Sequence, residues 1–198
     1  MDYTLAVDGL DETIPAGTNI LLVHPSTGAT DRIDTEFLKE DTDYFFVIST
    51  RTTAREVRQK LEYYDVDETK AVILDTLSVE RGYSRRSSKN VHYVSAPDDL
   101  DGIVEQTERF FAEHDGKLRV SFDSITELAY YAGEDEARGA VERLLEIIEE
   151  NDAVGLFHLS DEVHDQETVA AYRELFDMVI DLDVDGNVEI EDGNGEME

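Results

Sequence analysis

The sequence contains no cysteine, and only 3 prolines and 12 glycines among its 198 residues. Without thiols there is no disulfide scaffold, and so little proline and glycine excludes collagen-like and low-complexity chains. No apolar run approaches the roughly 18 residues of a membrane helix, and Met1-Asp2-Tyr3-Thr4 does not open a signal peptide. These absences predict a soluble, cytoplasmic protein with no membrane insertion. The length suits one domain able to bury a real core, and 40% hydrophobic with 9% aromatic residues argues against wholesale disorder.

Positive charge is the other scarcity. Seventeen Lys and Arg face 48 Asp and Glu, a formal net charge of -31, and only 5 of the cations are lysine. At low salt such a chain repels itself, whereas at molar salt the Debye length falls to about 3 Å and the repulsion largely disappears. The acids are spread along the whole chain. That pattern fits a salt-filled cytoplasm better than a surface shaped for one basic partner.

What is present is an alternation of short apolar runs and amphipathic stretches. The segments 19–24, 44–49, 71–75, 91–94, 118–123, 153–159 and 178–182 read as strands, and their nearly continuous Val, Ile, Leu and Phe indicate a sheet covered on both faces. Between them, Asp98 is placed to cap a helix carrying Leu100, Ile103, Val104, Thr107 and Phe111 on one face. Ala137, Val141, Leu144, Leu145 and Ile148 repeat that spacing, and weaker helical patterns cover 53–63 and 167–175. The alternation predicts a single α/β domain over residues 1–182 with a mostly parallel central sheet flanked by helices, then an acidic hairpin and tail over 183–198.

In such folds ligands sit at the carboxyl ends of strands, often on a turn leading into a helix. The segment Pro25-Ser26-Thr27-Gly28-Ala29-Thr30-Asp31 follows the first strong strand, in the position of a phosphate-binding loop. Gly9-Leu10-Asp11-Glu12 and the run from Ile14 to Val23 resemble the entry to the P-loop of RecA/KaiC-like ATPases. Leu118 to Leu128 is similar to that family's Walker B strand and the turn after it, with Asp123 and Ser124 at its end. Segments 155–160 and 177–182 resemble the family's last core strands, so the likeness spans roughly residues 5–190. It implies a RecA-like domain.

Against that pattern the departures are specific. Aligned on Phe37-Leu38, the lysine position holds Thr30 and the magnesium-binding hydroxyl position holds Asp31, while the two fixed glycines fall at His24 and Ala29. The acidic pair that the resemblance places after the second strand is replaced near Ser49-Thr50-Arg51. Phosphoryl transfer needs these groups together, so the resemblance implies a degenerate phosphate loop, a residual Walker B Asp123-Ser124, no catalytic residue and no cofactor. The helix start could still hold another anion.

Eight cations gather in two places: Arg51, Arg55, Arg58 and Lys60, then Arg81, Arg85, Arg86 and Lys89 in a long loop without strand or helix pattern. Such a loop is often functional. Arg81, Arg85, Arg86 and Lys89 are the candidate partner-binding residues; the alternative is a loop whose arginines pair with nearby carboxylates. Asp181 to Asp192 fits part of a calcium loop, but Asp185-Gly186 between Val-rich runs is equally a hairpin signal. His158 and His164 with Asp161, Glu162 and Asp165 match no metal-ligand spacing, and no metal is expected. Ser49, Ser121, Ser124 and Ser160 lack the turn of a hydrolase nucleophile.

The reading is a non-catalytic regulatory or assembly protein on an ATPase fold. Its expected partners are other protein subunits, either a second copy or a related RecA-like protein, as the resemblance implies. Nucleic acid is disfavoured by the surrounding negative field. The alternatives are a weak nucleotide-binding ATPase using Asp123 and residues 25–31, and a nucleic-acid-associated regulator using the basic loop. Among related haloarchaeal regulators the resemblance implies roles in signalling, motility and transcription.

Overall fold

The chain begins with an antiparallel hairpin, β1 (Asp2–Val7) and β2 (Leu10–Pro15), that the apolar runs do not announce. Its signal is the alternation of Tyr3, Leu5 and Val7, all buried, with more exposed neighbours, the period of a strand with one covered face. The computed structural model describes residues 1–7, 10–26, 30–83 and 88–192.

Each apolar run is a strand: β3 (Asn19–His24), β4 (Tyr44–Ser49), β5 (Ala71–Asp75), β6 (Val91–Tyr93), β7 (Leu118–Asp123), β8 (Val154–Ser160) and β9 (Met178–Leu182). β10 (Val188–Asp192) follows a turn and pairs antiparallel with β9. Together they form one eight-stranded sheet in the order β10-β9-β3-β8-β7-β4-β5-β6, parallel except at β10. β3, β5 and β8 are buried at every residue and read as nearly continuous apolar runs. β7 is buried throughout as well, yet Arg119, Ser121 and Asp123 alternate with Leu118, Val120 and Phe122.

Helices cover both faces. α1 (Thr30–Lys39) and α2 (Ala54–Tyr63) pack with the β1–β2 hairpin on one side, around Ile20, Leu22, Phe37, Phe45 and Leu61. α3 (Leu100–Glu113), α4 (Ile125–Ala132), α5 (Glu134–Glu150) and α6 (Gln166–Arg173) cover the other, around Phe46, Phe122, Leu144 and Phe157. The cap of α3 is Asp99 rather than Asp98. The Asp99 carboxylate accepts from the Gly102 N–H at 3.0 Å and from the Ser95 hydroxyl at 2.7 Å, so the helix starts one residue later. Gly155 lets α5 approach β8: a Cβ there would lie 2.9 Å from Ile148 Cδ1 and 2.8 Å from Asn19 Oδ1.

Arg119 on β7 fixes the hairpin to this body. Its side chain is fully buried, with the guanidinium 5.3 Å from the Tyr3 ring centre and 5.0 Å from that of Phe37, and it donates to the Thr4 carbonyl at 2.7 Å. Burial without a close carboxylate pulls its pKa down to about 10.

Asp75, at the end of β5, organises the connection on the opposite flank. Its carboxylate accepts from Ala54 N–H at 2.8 Å, from Leu77 and Ser78 N–H at 2.9 Å, and from the Ser78 hydroxyl at 2.6 Å. It therefore ties the start of α2 to the segment after β5. Asp75→Ala leaves buried donors unsatisfied and should cost about 2–4 kcal/mol. A urea denaturation in concentrated KCl will show a lower midpoint; an unchanged midpoint would mean that water replaces the carboxylate.

Candidate functional site

The carboxyl ends of β3, β8, β7 and β4 lie side by side, and the loops leaving them carry most of the residues singled out by sequence. β3 leads into α1 on one face, while β8 leads into α6 on the other. Pro25 is buried, and Ser26 is exposed. The Ser26 N–H donates to Glu162 at 3.0 Å, and its hydroxyl lies 3.0 Å from that of Ser160. Thr27, Gly28 and Ala29 lie outside the described residues. Thr30 opens α1, and Asp31 stands exposed in its first turn.

Beneath that turn lies a buried ionic network that brings Lys60 of the first cation group and His158 of the histidine cluster to Asp34, which no sequence motif marked. Asp34 on α1 and Lys60 on α2 meet at 2.6 Å, and Lys60 is also 3.9 Å from Asp31. The Asp34 side chain is 1% exposed and accepts in addition from the Ser121 hydroxyl, with His158 Nε2 3.2 Å away. Burial opposes ionisation of Asp34, but the Lys60 ammonium and the His158 ring outweigh it and hold the carboxyl far below the usual range. For Lys60, burial favours the neutral amine and Asp34 overrides it, so its pKa is raised.

Both partners were visible in the sequence as helical positions. Asp34 falls in the apolar stripe Thr30, Ile33, Asp34, Phe37, Leu38, and Lys60 stands next to Leu61 in the stripe Ala54, Val57, Leu61. A lone acid in one buried stripe and a base beside another on neighbouring helices are the available signal.

Asp123, the residue that the resemblance likens to a Walker B acid, is engaged by Arg51. Arg51 Nη2 donates to Asp123 Oδ2 at 3.0 Å, and Nε stands 2.9 Å from Oδ1, an ionic approach off the hydrogen-bond direction. Burial raises the Asp123 pKa, but His158, Arg51 and Lys60 together lower it, and Arg51 is raised in turn by Asp123 against its own burial. Thr50 locks the two strand ends: its hydroxyl donates to the Ser124 carbonyl at 3.0 Å and accepts from the Ser124 N–H at 2.7 Å. The Ser124 side chain caps α4 by accepting from Glu127 N–H. The peptide bond between Asp123 and Ser124 is cis.

His24, where the phosphate-loop pattern has its first glycine, packs its ring edge-on to His158, the centres 5.5 Å apart. His164 lies elsewhere, between Thr126 at 3.0 Å and Glu134 at 2.7 Å, so the two histidines of the sequence cluster serve separate contacts. Among the described residues no group of three or more His, Asp or Glu gathers to hold a metal. The Asp183–Asn187 segment is the turn of the β9–β10 hairpin, closed by Asp183 accepting from the Asp185 and Asn187 N–H groups at 2.8 Å.

The basic segment forms a separate feature at the β6 edge. An open cleft of about 690 Å³ is lined by Arg55, Gln59, Arg81, Tyr83 and Tyr93 among others, and a second of about 460 Å³ adjoins it at Ala54, Arg55, Gln59 and Tyr93 and includes Arg58. Lys89 is exposed beside Ser88 of the second cleft. Arg85 and Arg86 lie outside the described residues.

The chain belongs to a family of unknown function, DUF7090, whose model matches residues 1–192. No curated protein matches it by sequence. Among solved structures it is similar to a KaiC-like protein from the hyperthermophilic archaeon Pyrococcus horikoshii, at 17% identity and a TM-score of 0.66, covering 93% of this chain and 84% of that one. It is also similar to a prototypical ATPase from the type III secretion system of pathogenic bacteria, at 12% identity and a TM-score of 0.63; this match covers 93% of the present chain but 57% of the ATPase. The fold is RecA-like. No helix among the described residues is long and apolar enough to cross a membrane.

Two measurements probe the network. Lys60→Met strands a buried carboxylate and should cost about 3–5 kcal/mol, while adding Asp34→Leu should recover much of that loss. Urea midpoints of the single and double variants decide it, and a neutral single variant would rule out a structural pair. His24 supplies a pH signature. Burial, and then His158, depress its pKa to about 4 from an ordinary 6.5, so protonation favours the unfolded chain. Stability should fall by on the order of 3 kcal/mol as pH drops from about 6.5 to about 4, before Asp34 and Asp123 add their own losses at lower pH. The His24→Gln variant should flatten the first window in thermal melts.

Proposed function

We propose that this protein is a non-catalytic RecA/KaiC-like domain acting through contacts with other proteins in a salt-rich cytoplasm. The Arg51–Asp123 ion pair carries the reading. In an ATPase of this fold, the resemblance assigns the Asp123 position to the magnesium site. Here a guanidinium just past the end of β4 already pairs with that carboxylate and donates to one of its oxygens, at the place where the resemblance puts the acids that activate water.

The residues around it fit a magnesium nucleotide poorly. Thr30 and Asp31 stand where the lysine and the metal-binding hydroxyl belong, and Asp31 presents a carboxylate to the phosphate side. Lys60, the one lysine in reach, is held by Asp34 at 2.6 Å. Releasing either cation toward a phosphate would leave a buried carboxylate unpaired, a cost of several kcal/mol. The site's charges are closed on one another, so an incoming nucleotide finds repulsion and no free donor lysine. The surface left for function is the basic one, with Arg81, Arg85, Arg86 and Lys89 as contact residues, and the family fold supplies the scaffold that holds it.

The test is calorimetric titration with Mg-ATP and Mg-GTP in concentrated KCl on folded protein. No heat of binding is expected at nucleotide concentrations of about 1 mM, where an interaction of roughly 4 kcal/mol still registers. Clear magnesium-dependent binding would overturn the reading, and loss of any accompanying hydrolysis in Asp123→Ala would then identify an ATPase.

A further inference from the structure

β3 and β8 are neighbouring parallel strands with His24 opposite Ser160, so the chains leaving them start side by side at the carboxyl edge. The first runs through Pro25 and Ser26 toward α1, and the second, residues 161–165, leads into α6. A carboxylate of the second stands against the first. Ser26 N–H donates to Glu162 Oε2 at 3.0 Å, and the Ser26 hydroxyl bonds the same carboxylate while lying 3.0 Å from the Ser160 hydroxyl. A hydroxyl has one hydrogen, so Ser26 donates to Glu162 only by accepting from Ser160. The three donors are thus ordered toward one anionic group, and Ser160, 7% exposed, forms their buried end.

The segment that presents Glu162 is fastened at both ends. At its start, Asp161 N–H donates to the His24 carbonyl at 3.3 Å, and Ser160 N–H donates to Thr126 Oγ1 at 2.9 Å. At its far end the buried His164 ring lies 3.0 Å from the Thr126 hydroxyl and 2.7 Å from Glu134, while Asp165 caps α6 by accepting from Thr168 N–H at 2.7 Å. Glu162 is therefore held in position by its own loop. The bonds from Ser26 in turn keep its carboxyl below the usual range. Asp161, also exposed and next to it in the chain, makes no side-chain bond among the described residues.

We propose that Glu162 is an internal pseudo-ligand, whose carboxylate fills an oxyanion seat made by the Ser26 N–H and the Ser26 and Ser160 hydroxyls and so keeps inorganic phosphate out. N–H and O–H donors toward an oxyanion make the charge-assisted class of hydrogen bond, and a carboxylate and a phosphate offer them the same kind of oxygen. A tethered group competes at an effective concentration on the order of millimolar even on a flexible linker, and the loop of Glu162 is pinned. Free phosphate at similar concentrations then finds the seat taken. The seat contains no cation, and Asp31 stands exposed at the start of α1. Phosphate that enters once Glu162 is removed is accordingly held weakly. Arg51 on Asp123 and Glu162 on Ser26 are two separate closures of the same edge, one made by a cation and the other by an anion.

The pseudo-ligand rests on the reading of this edge as closed to nucleotide, and it is tested without nucleotide or magnesium. Inorganic phosphate is titrated by calorimetry into the full chain in concentrated KCl, with circular dichroism to show that each variant is folded. Glu162→Ala should bind phosphate about tenfold or more tighter than the wild type. Glu162→Gln, whose amide oxygen still accepts from Ser26, should stay near the wild type. So should Asp161→Ala, which removes the same charge from the same loop. Adding Ser160→Ala to Glu162→Ala should abolish the gain. In the wild type the Ser26 amide should be protected from hydrogen exchange, and Glu162→Ala should release it. A Ser26 amide that exchanges freely in the wild type overturns the proposal, as does a folded Glu162→Ala that ignores phosphate. An equal gain in Asp161→Ala, or a gain that survives Ser160→Ala, also overturns it, by showing a general effect of charge. Any of these failures in a chain that ignores Mg-ATP sinks the pseudo-ligand alone, whereas Mg-ATP binding by the wild type counts against the non-catalytic reading.

Discussion

A lysine and an aspartate buried face to face set the terms for the rest of this structure. Neither Lys60 nor Asp34 can be left alone in the interior without a penalty of several kcal/mol, so α1 and α2 must approach until the two groups touch at 2.6 Å. That approach fixes the helices over the strand ends from which they grow. It also brings Asp34 under the Ser121 hydroxyl and His158, and places Lys60 where it helps hold the Asp123 charge. With Arg51 on Asp123, the carboxyl edge of the sheet becomes a closed set of charges.

The same economy of positive charge runs across the surface. With 17 cations for 48 acids, a base that finds a carboxylate gains a local neutralisation that most acids must do without. Helix pairs such as Arg109–Glu113 and Arg138–Glu142 are individually worth little. Their value lies in relieving repulsion within a strongly negative molecule. Arg119 follows a different rule. It has no close carboxylate and is held by two aromatic faces and one carbonyl, so its placement is set by packing of the β1–β2 hairpin against α1 and β7.

Much of this architecture can be read from the sequence because its strongest signals are local. β3, β5 and β8 are nearly continuous apolar runs because both of their faces are covered, and α5 carries a long unbroken stripe. The hairpin β1–β2 escaped because its inward residues alternate with polar ones and its partners lie on α1 and β7, far along the chain. α4 escaped for a related reason: eight residues in Ile125–Ala132 are too few to show a period of their own. The start of α3 is displaced by one residue because two adjacent aspartates offer the same cap, and only the Ser95 contact selects Asp99. At the candidate site the sequence identifies the segments and misses the pairing. Arg51 is legible as a replacement for an acid, but its engagement with Asp123 depends on β4 and β7 being neighbours. Lys60 and Asp34 are 26 positions apart, and only the packing of two helices joins them.

A site that binds a charged ligand must leave charges unsatisfied until the ligand arrives, and it holds them at a cost in stability. The carboxyl edge of this sheet has the opposite character: Asp34 is paired with Lys60 and Asp123 with Arg51, so on the proposed reading little charge is left there to reward an anion. Unsatisfied charge has not vanished from the molecule, however. It stands at the β6 edge, on Arg55, Arg58 and Arg81, which form no ion pair among the described residues although Glu62 and Glu68 line the same clefts. Binding energy is available where such charge is kept open and exposed. By that criterion the cleft beside α2, and not the carboxyl ends of β3 and β7, is the surface to which the proposed reading assigns recognition.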